Sequence, residues 1–287
     1  MGGRGSKSSF AGRSTTTGTV FRQLVGNAQQ MQPQVQAQMP PQQQVQNQPP
    51  TQNNTPVQPG AADTLSQMSD DQLAQLVTLA KNTQLPNHLN DVDDITQKFI
   101  FTAGVNARPT VMDQSAFNQF LADNNIPRSQ ILSRSIGGAS YVVGKTQYDI
   151  TPQQVVQMFT QSRLTYSGGK QNGQAYGGGT YFDMNGGRST GYGNTTMIKG
   201  KAYKVETMIA ALNPKTARVI SDSQLARKAQ AFAASHPKFA RAVGSYNTSF
   251  RGGKNNMSIY ALAMGYNVIQ SGSYHNVIDR SAVVVMQ

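Results

Sequence analysis

Apolar residues along this chain recur at two spacings, and long stretches show neither. From Ser69 the pattern becomes helical. Ser69-Asp70-Asp71-Gln72 reads as an N-cap with a Gln three residues on, and Leu73, Leu76, Val77 and Ala80 then fall on one face. A second helix carries Ile95, Phe99 and Ile100 and stops near Gly104. A third spans Asp113 to Asn124, with Phe117, Phe120 and Leu121 on its apolar side. The run Ile131 to Ile136 predicts a strand ending at Gly137-Gly138. Thr151-Pro152 then predicts a helix start, with Thr as cap and Pro in the first position, and Val155, Val156 and Phe159 turned inward.

Further on, Thr180-Tyr181-Phe182 predicts a strand, Tyr203–Leu212 holds an apolar segment ending at Asn213-Pro214, and Arg218–Ile220 is a short strand. Asp222 is expected to cap a helix through Ala234, and Asn256–Met264 is a helix closed by Gly265. The chain finishes in short β-branched runs at Asn267–Ile269, Val277-Ile278 and Val283–Val285, with a turn at Ser271-Gly272-Ser273. Helices come first and mixed strands and helices follow. That order predicts an α+β fold rather than a doubly wound sheet.

The first part of the chain lacks both spacings. Residues 1–27 are a basic Gly/Ser/Thr tail, and residues 28–66 are a Gln/Asn/Pro-rich segment. Such a composition cannot bury enough apolar surface to offset the entropy of ordering it, so both are expected to be disordered. Residues 67–127 are read as a helical region packing on the core, and 128–287 as the main domain.

Composition narrows the chemistry. Only 37% of the 287 residues are hydrophobic and mean hydropathy is −0.46. The absence of cysteine excludes disulfides, thiolate metal sites and a Cys nucleophile. The three histidines, His88, His236 and His275, are scattered, and no metal site is expected. No apolar run approaches a membrane span. The opening MGGRGSKSSFAGR is basic but has no apolar core, so it does not read as a secretory signal. A net charge of +12 arises from scarce acids more than abundant lysine. It favours contact with nucleic acid or another polyanion, or it is simply a positive surface.

The densest candidate chemistry is Gly177–Tyr192, GGGTYFDMNGGRSTGY. Three glycines lead into a strand, and Asn185-Gly186-Gly187 forms a loop. Ser189 offers a hydroxyl and Tyr192 an aromatic face. That set suits a flat, amide-bearing ring, although a ligand-free glycine-rich hairpin satisfies the same pattern. Arg134, at the end of a strand, is either an anion clamp or a surface residue on an edge.

These residues resemble the ADP-ribosyltransferases, which take NAD as substrate. Gly177-Gly178-Gly179-Thr180-Tyr181-Phe182, a Ser eight residues after Tyr181 and a Tyr three further are similar to the block of the poly-ADP-ribose polymerases. The resemblance implies that Ser189 bonds the nicotinamide amide, Tyr192 stacks on its ring, and Tyr181 with Gly179 walls the pocket. Leu132-Ser133-Arg134 resembles the first strand of the toxin-like branch. It implies Arg134 against the pyrophosphate or ribose, with Gly137 in the same site. The fold implied is a split β-sheet core.

Gly265–Ile269 and Val277–Ala282 resemble closing strands of bacterial and phage members. The resemblance implies a phage-encoded mono-ADP-ribosyltransferase-like protein found in the virion or the host cytoplasm. Its partners would be a host protein acceptor, with phage head proteins or packaged DNA beside it. It departs from the family at the late-strand glutamate. Alignment puts Tyr274 or His275 there, and the chain's single glutamate, Glu206, lies earlier. Glu206 and Asp279 are the candidate acids. Three readings follow: an active transferase, an NAD binder without turnover, and a degenerate fold serving as a head-associated structural component.

Overall fold

The computed structural model describes residues 61–84, 95–103, 108–143, 146–161, 178–184, 195–249 and 255–287. The expected tail and the linker as far as residue 60 lie outside them. The end of the expected 28–66 linker is instead ordered: Ala61–Leu65 is a helix, because Ala62 and Leu65 are buried in the helical core. The described residues belong to one unit, Val57–Gln287.

Helix starts follow local chemistry. In α2 (Asp70–Asn82, after the short α1 at Ala61–Leu65) the Ser69 hydroxyl accepts from the Gln72 amide at 3.3 Å, and Gln72 Oε1 accepts from the Ser69 amide at 2.8 Å. This is the reciprocal cap expected from the sequence. Its inward face is Leu73, Leu76, Val77 and Ala80, all buried. Helix α3 is Ile95–Thr102. Helix α4 (Gln114–Asp123) starts where Asp113 Oδ1 accepts from the Ala116 amide at 2.8 Å. Helix α5 (Pro152–Gln161) starts from a second reciprocal pair, Thr151 with Gln154. In α6 (Asp222–Ser235) the cap is Ser221, one residue earlier than expected, because its hydroxyl reaches the Gln224 amide at 3.2 Å. Asp222 is instead the first helical residue, tied to the Ser271 hydroxyl at 2.8 Å. Helices α7 (Pro237–Val243) and α8 (Met257–Ala263) complete the set, with Gly265 following α8.

Twelve strands form one mixed eight-stranded sheet and two hairpins among the described residues. The strands are β1 (Thr110–Met112), β2 (Leu132–Ile136), β3 (Ala139–Val143), β4 (Thr146–Ile150), β5 (Thr180–Asp183), β6 (Thr195–Ile198), β7 (Lys201–Lys204), β8 (Glu206–Leu212), β9 (Val219–Ser221), β10 (Val268–Ser271), β11 (Tyr274–Val277) and β12 (Val283–Met286). The large sheet runs β1-β12-β8-β2-β5-β11-β10-β9. Its two edge pairs, β1 with β12 and β9 with β10, are parallel, and the inner pairs are antiparallel. β1 and the hairpins β3–β4 and β6–β7 were not expected from the apolar pattern.

Side chains alternate across the sheet and fill layers on both sides. Leu132, Ile136, Phe182, Met208, Val277 and Val285 share one core with Val155 and Phe159 of α5. On the other side, Ala211 and Val284 meet Phe117 and Leu121 of α4. Further along, Ile220, Ile269 and Ile278 join a larger core with α2, α3, α6, α7 and α8. Asp70 fixes part of that helical layer. Its two carboxylate oxygens accept from the Lys238 and Phe239 amides at 3.0 and 2.7 Å, at the start of α7. No helix among the described residues is long and apolar enough to cross a membrane.

Candidate functional site

The predicted ligands on described residues cluster around β2 and β5. Neighbouring inner strands of the sheet are registered over four or five residues each. β2 and β5 share one registered pair, Ser133 with Asp183. This seam is the weakest line through the sheet, and it separates the strand of Arg134 from the strand of Tyr181. Arg134 spans it: its Nη1 donates to the Tyr181 carbonyl at 3.2 Å. A guanidinium carries five N–H donors in a fixed fork, so it can serve more than one acceptor at once.

The register sets the faces. Ser133 and Asp183 are paired and point the same way, so Arg134 and Phe182 share the opposite face with the core under α5. Tyr181 lies on the Asp183 side. Arg134 and Tyr181 are therefore neighbours through a backbone carbonyl, with their side chains on opposite faces of the sheet. Ser189 and Tyr192, the predicted nicotinamide contacts, lie outside the described residues, as does Gly177.

Gly179 and Gly137 are both buried. Gly179 has a φ of +152°. A methyl there would sit 2.0 Å from Asn276 Oδ1 and 2.9 Å from the Val277 carbonyl. Glycine at 179 is thus required by a close approach of β11. Asn276 is fully buried, and its Nδ2 donates to Gly178 O at 3.4 Å and Ser258 Oγ at 3.3 Å. The Ser258 hydroxyl donates to Gly178 O at 2.7 Å. The glycine lead-in is locked to α8 and β11 by this polar knot. Sequence reasoning missed it, because neither Ser258 nor Asn276 belongs to any recognisable motif.

The two candidate acids are held apart. Glu206 opens β8, half-buried, and pairs with Ile136. It lies on the Arg134 face, one strand over and two residues along, a diagonal separation of about 7–8 Å. Asp279 follows β11, three strand spacings from β8, which amounts to about 14 Å or more. Asp279 is fully buried and its Oδ1 accepts from the Ser281 amide at 2.9 Å, capping a short turn. Its neighbour Arg280 is also buried and donates to the Met158 and Phe159 carbonyls at 2.8 and 2.5 Å, satisfying the last turn of α5. Burial pushes that guanidinium down to about 10, with the Asp279 charge opposing. Asp279 and Arg280 are thus occupied in holding the end of the sheet to α5.

His275 pairs with Phe182 and faces the Arg134 side. It is 3% exposed, and one ring nitrogen lies 3.2 Å from the Ser273 carbonyl. Burial pushes its pKa down, against the Ser273 hydrogen bond and the Asp183 charge. It stands in the strand where the resemblance expects a late glutamate, and it is neutral at physiological pH rather than anionic. Among the described residues, no group of three His, Asp or Glu side chains could hold a metal ion.

Comparison with protein-family models, with curated proteins and with solved structures gives no match for this chain.

Proposed function

We propose that this protein binds NAD along the β2–β5 seam and transfers ADP-ribose to a protein acceptor, on a split-sheet core of the ADP-ribosyltransferase type. The observation that carries this reading is the seam itself: a single registered pair, spanned by Arg134. The two strands bearing the sequence-predicted anion clamp and the glycine-led block lie side by side there. The planar fork of the Arg134 guanidinium suits a pyrophosphate, and Glu206 supplies a carboxylate on the same face.

The chemistry asks for a negative charge near the sugar. The bond from ribose C1′ to nicotinamide breaks, and nicotinamide leaves with the electron pair. C1′ becomes cationic, and an acceptor nucleophile bonds to it and gives up a proton. A fixed carboxylate beside C1′ lowers that barrier. Glu206 is assigned this role in preference to Asp279, whose oxygen is committed to the Ser281 amide. The protein is proposed to be phage-encoded and carried in the virion, acting on a host protein.

The test is the full chain with labelled NAD and host lysate, alongside Glu206→Gln. Label on protein and released nicotinamide, both falling about a hundredfold or more in the variant, are the expected results. NAD binding with no nicotinamide release favours the second reading, a catalytically silent, head-associated virion component. The capped state of Asp279 supports that alternative, since it leaves Glu206 as the one candidate acid. Mass spectrometry of purified particles then reports whether the chain is present in stoichiometric copies.

A further inference from the structure

A second site lies away from the seam, within the helical layer. A cavity of about 440 Å³ opens between the C-terminal half of α2, α3 and residues 243–247 and 255–259. Two lysines, Lys81 of α2 and Lys98 of α3, line it, and no carboxylate does among its described lining residues. The Lys81 ammonium donates to the Ala242 carbonyl at 2.5 Å, which leaves two further N–H groups. Lys98 is half-buried, and its side chain shows no hydrogen bond or ion pair among the described residues.

The wall of this cavity is fixed by buried side chains. Asn256, 5% exposed, accepts from the Asn247 amide at 2.8 Å and donates to the Ser245 carbonyl at 3.0 Å. The hydroxyl of buried Tyr260 donates to the Gly244 carbonyl at 3.0 Å. These bonds hold residues 244–247 against the start of α8 beside the cavity. Asn247 and Asn255 add carboxamides to the lining, and Ile95, Val243 and Ile259 supply an apolar part. The volume exceeds that of a bare phosphate and falls within the ordinary range of small-molecule pockets.

We propose that this cavity binds a small phosphate monoester, with the phosphate between Lys81 and Lys98 and the organic part against Ile95, Val243 and Ile259. Lysine ammoniums act on phosphate as point charges and do not need the fork geometry of arginine. The site is independent of the seam and uses none of its residues.

The test is calorimetric titration of the full chain with AMP and separately with inorganic phosphate, at fixed ionic strength. Saturable binding of AMP, tighter than that of phosphate, is expected. Lys98→Gln should weaken AMP about tenfold or more, Lys98→Arg should restore most of it, and Arg134→Gln should leave it unchanged. Amine labelling read by mass spectrometry gives a second measurement on the native chain, with AMP expected to protect Lys98. Flat titrations at millimolar AMP overturn the proposal. So does binding equally strong in Lys98→Gln, or a Lys98 labelling rate indifferent to AMP. Loss of AMP binding in Arg134→Gln with Lys98→Gln unaffected would move the ligand to the seam and also overturn it.

Discussion

Gly179→Ala isolates the contact that locks the glycine block to β11. The new methyl would lie 2.0 Å from Asn276 Oδ1, far inside van der Waals contact. Asn276 cannot swing aside freely, because it is fully buried and its Nδ2 bonds Gly178 and Ser258. Overpacking of this kind costs about 1–3 kcal/mol. Loss of one hydrogen bond adds about 1 kcal/mol. The positive φ of Gly179 adds about 1 kcal/mol more for a residue with a Cβ. The sum is a loss of about 3–5 kcal/mol, read as a shift in urea midpoint by far-ultraviolet circular dichroism. Asn276→Ala removes the obstructing atoms, so the penalty of Gly179→Ala should fall by about 2 kcal/mol in that background. A Gly179→Ala protein within about 0.5 kcal/mol of wild type would refute the reasoning, as would the same penalty with and without Asn276.

Other substitutions report on the same framework. Arg280→Met leaves the Met158 and Phe159 carbonyls without their donor, and should cost about 2–4 kcal/mol in urea unfolding. His275 has its pKa depressed in the folded chain, so the unfolded chain takes up the proton first. Stability should therefore be complete above about pH 6.5 and fall as pH drops below it, and His275→Gln should flatten that limb in a pH series of urea midpoints. Asp70 is pushed up by desolvation, but the Phe239 and Lys238 amides, with the His236 and Lys238 charges, outweigh this and hold it below the usual aspartate value. Its contribution is present above the ordinary aspartate range and is lost as pH falls through the depressed value. Asp70→Asn should lower Tm near neutral pH and shrink the acid-side dependence of Tm.

The helix starts were legible because their chemistry is local. Ser69 with Gln72 and Thr151 with Gln154 act within three residues, and both caps stand where the sequence suggested; Asp113, read as the first helical residue, is the cap of its helix. What depends on distant partners was not. β1 is three residues long and exists because Val284–Met286 pairs with it in parallel, across more than half of the described chain. Its Thr-Val-Met carries no turn signal or alternation long enough to recognise. The hairpins β3–β4 and β6–β7 had β-branched and aromatic residues to announce them, but the glycines around them read more readily as loop.

The site shows the same division. That Arg134 and Tyr181 lie on strands was readable, and that the two strands adjoin was not. Glycine at 179 was expected to serve a ligand, while its immediate cause is Asn276, ninety-seven residues later. Asp279 read as a candidate acid in sequence because the Ser281 amide that occupies it cannot be seen there.

The measurement closest to the central claim is a calorimetric titration of the full chain with NAD, wild type against Arg134→Gln, with Tm recorded for both. The account predicts saturable binding that weakens about tenfold or more in the variant at similar Tm. No heat of binding at millimolar NAD, or an affinity indifferent to Arg134, would contradict it.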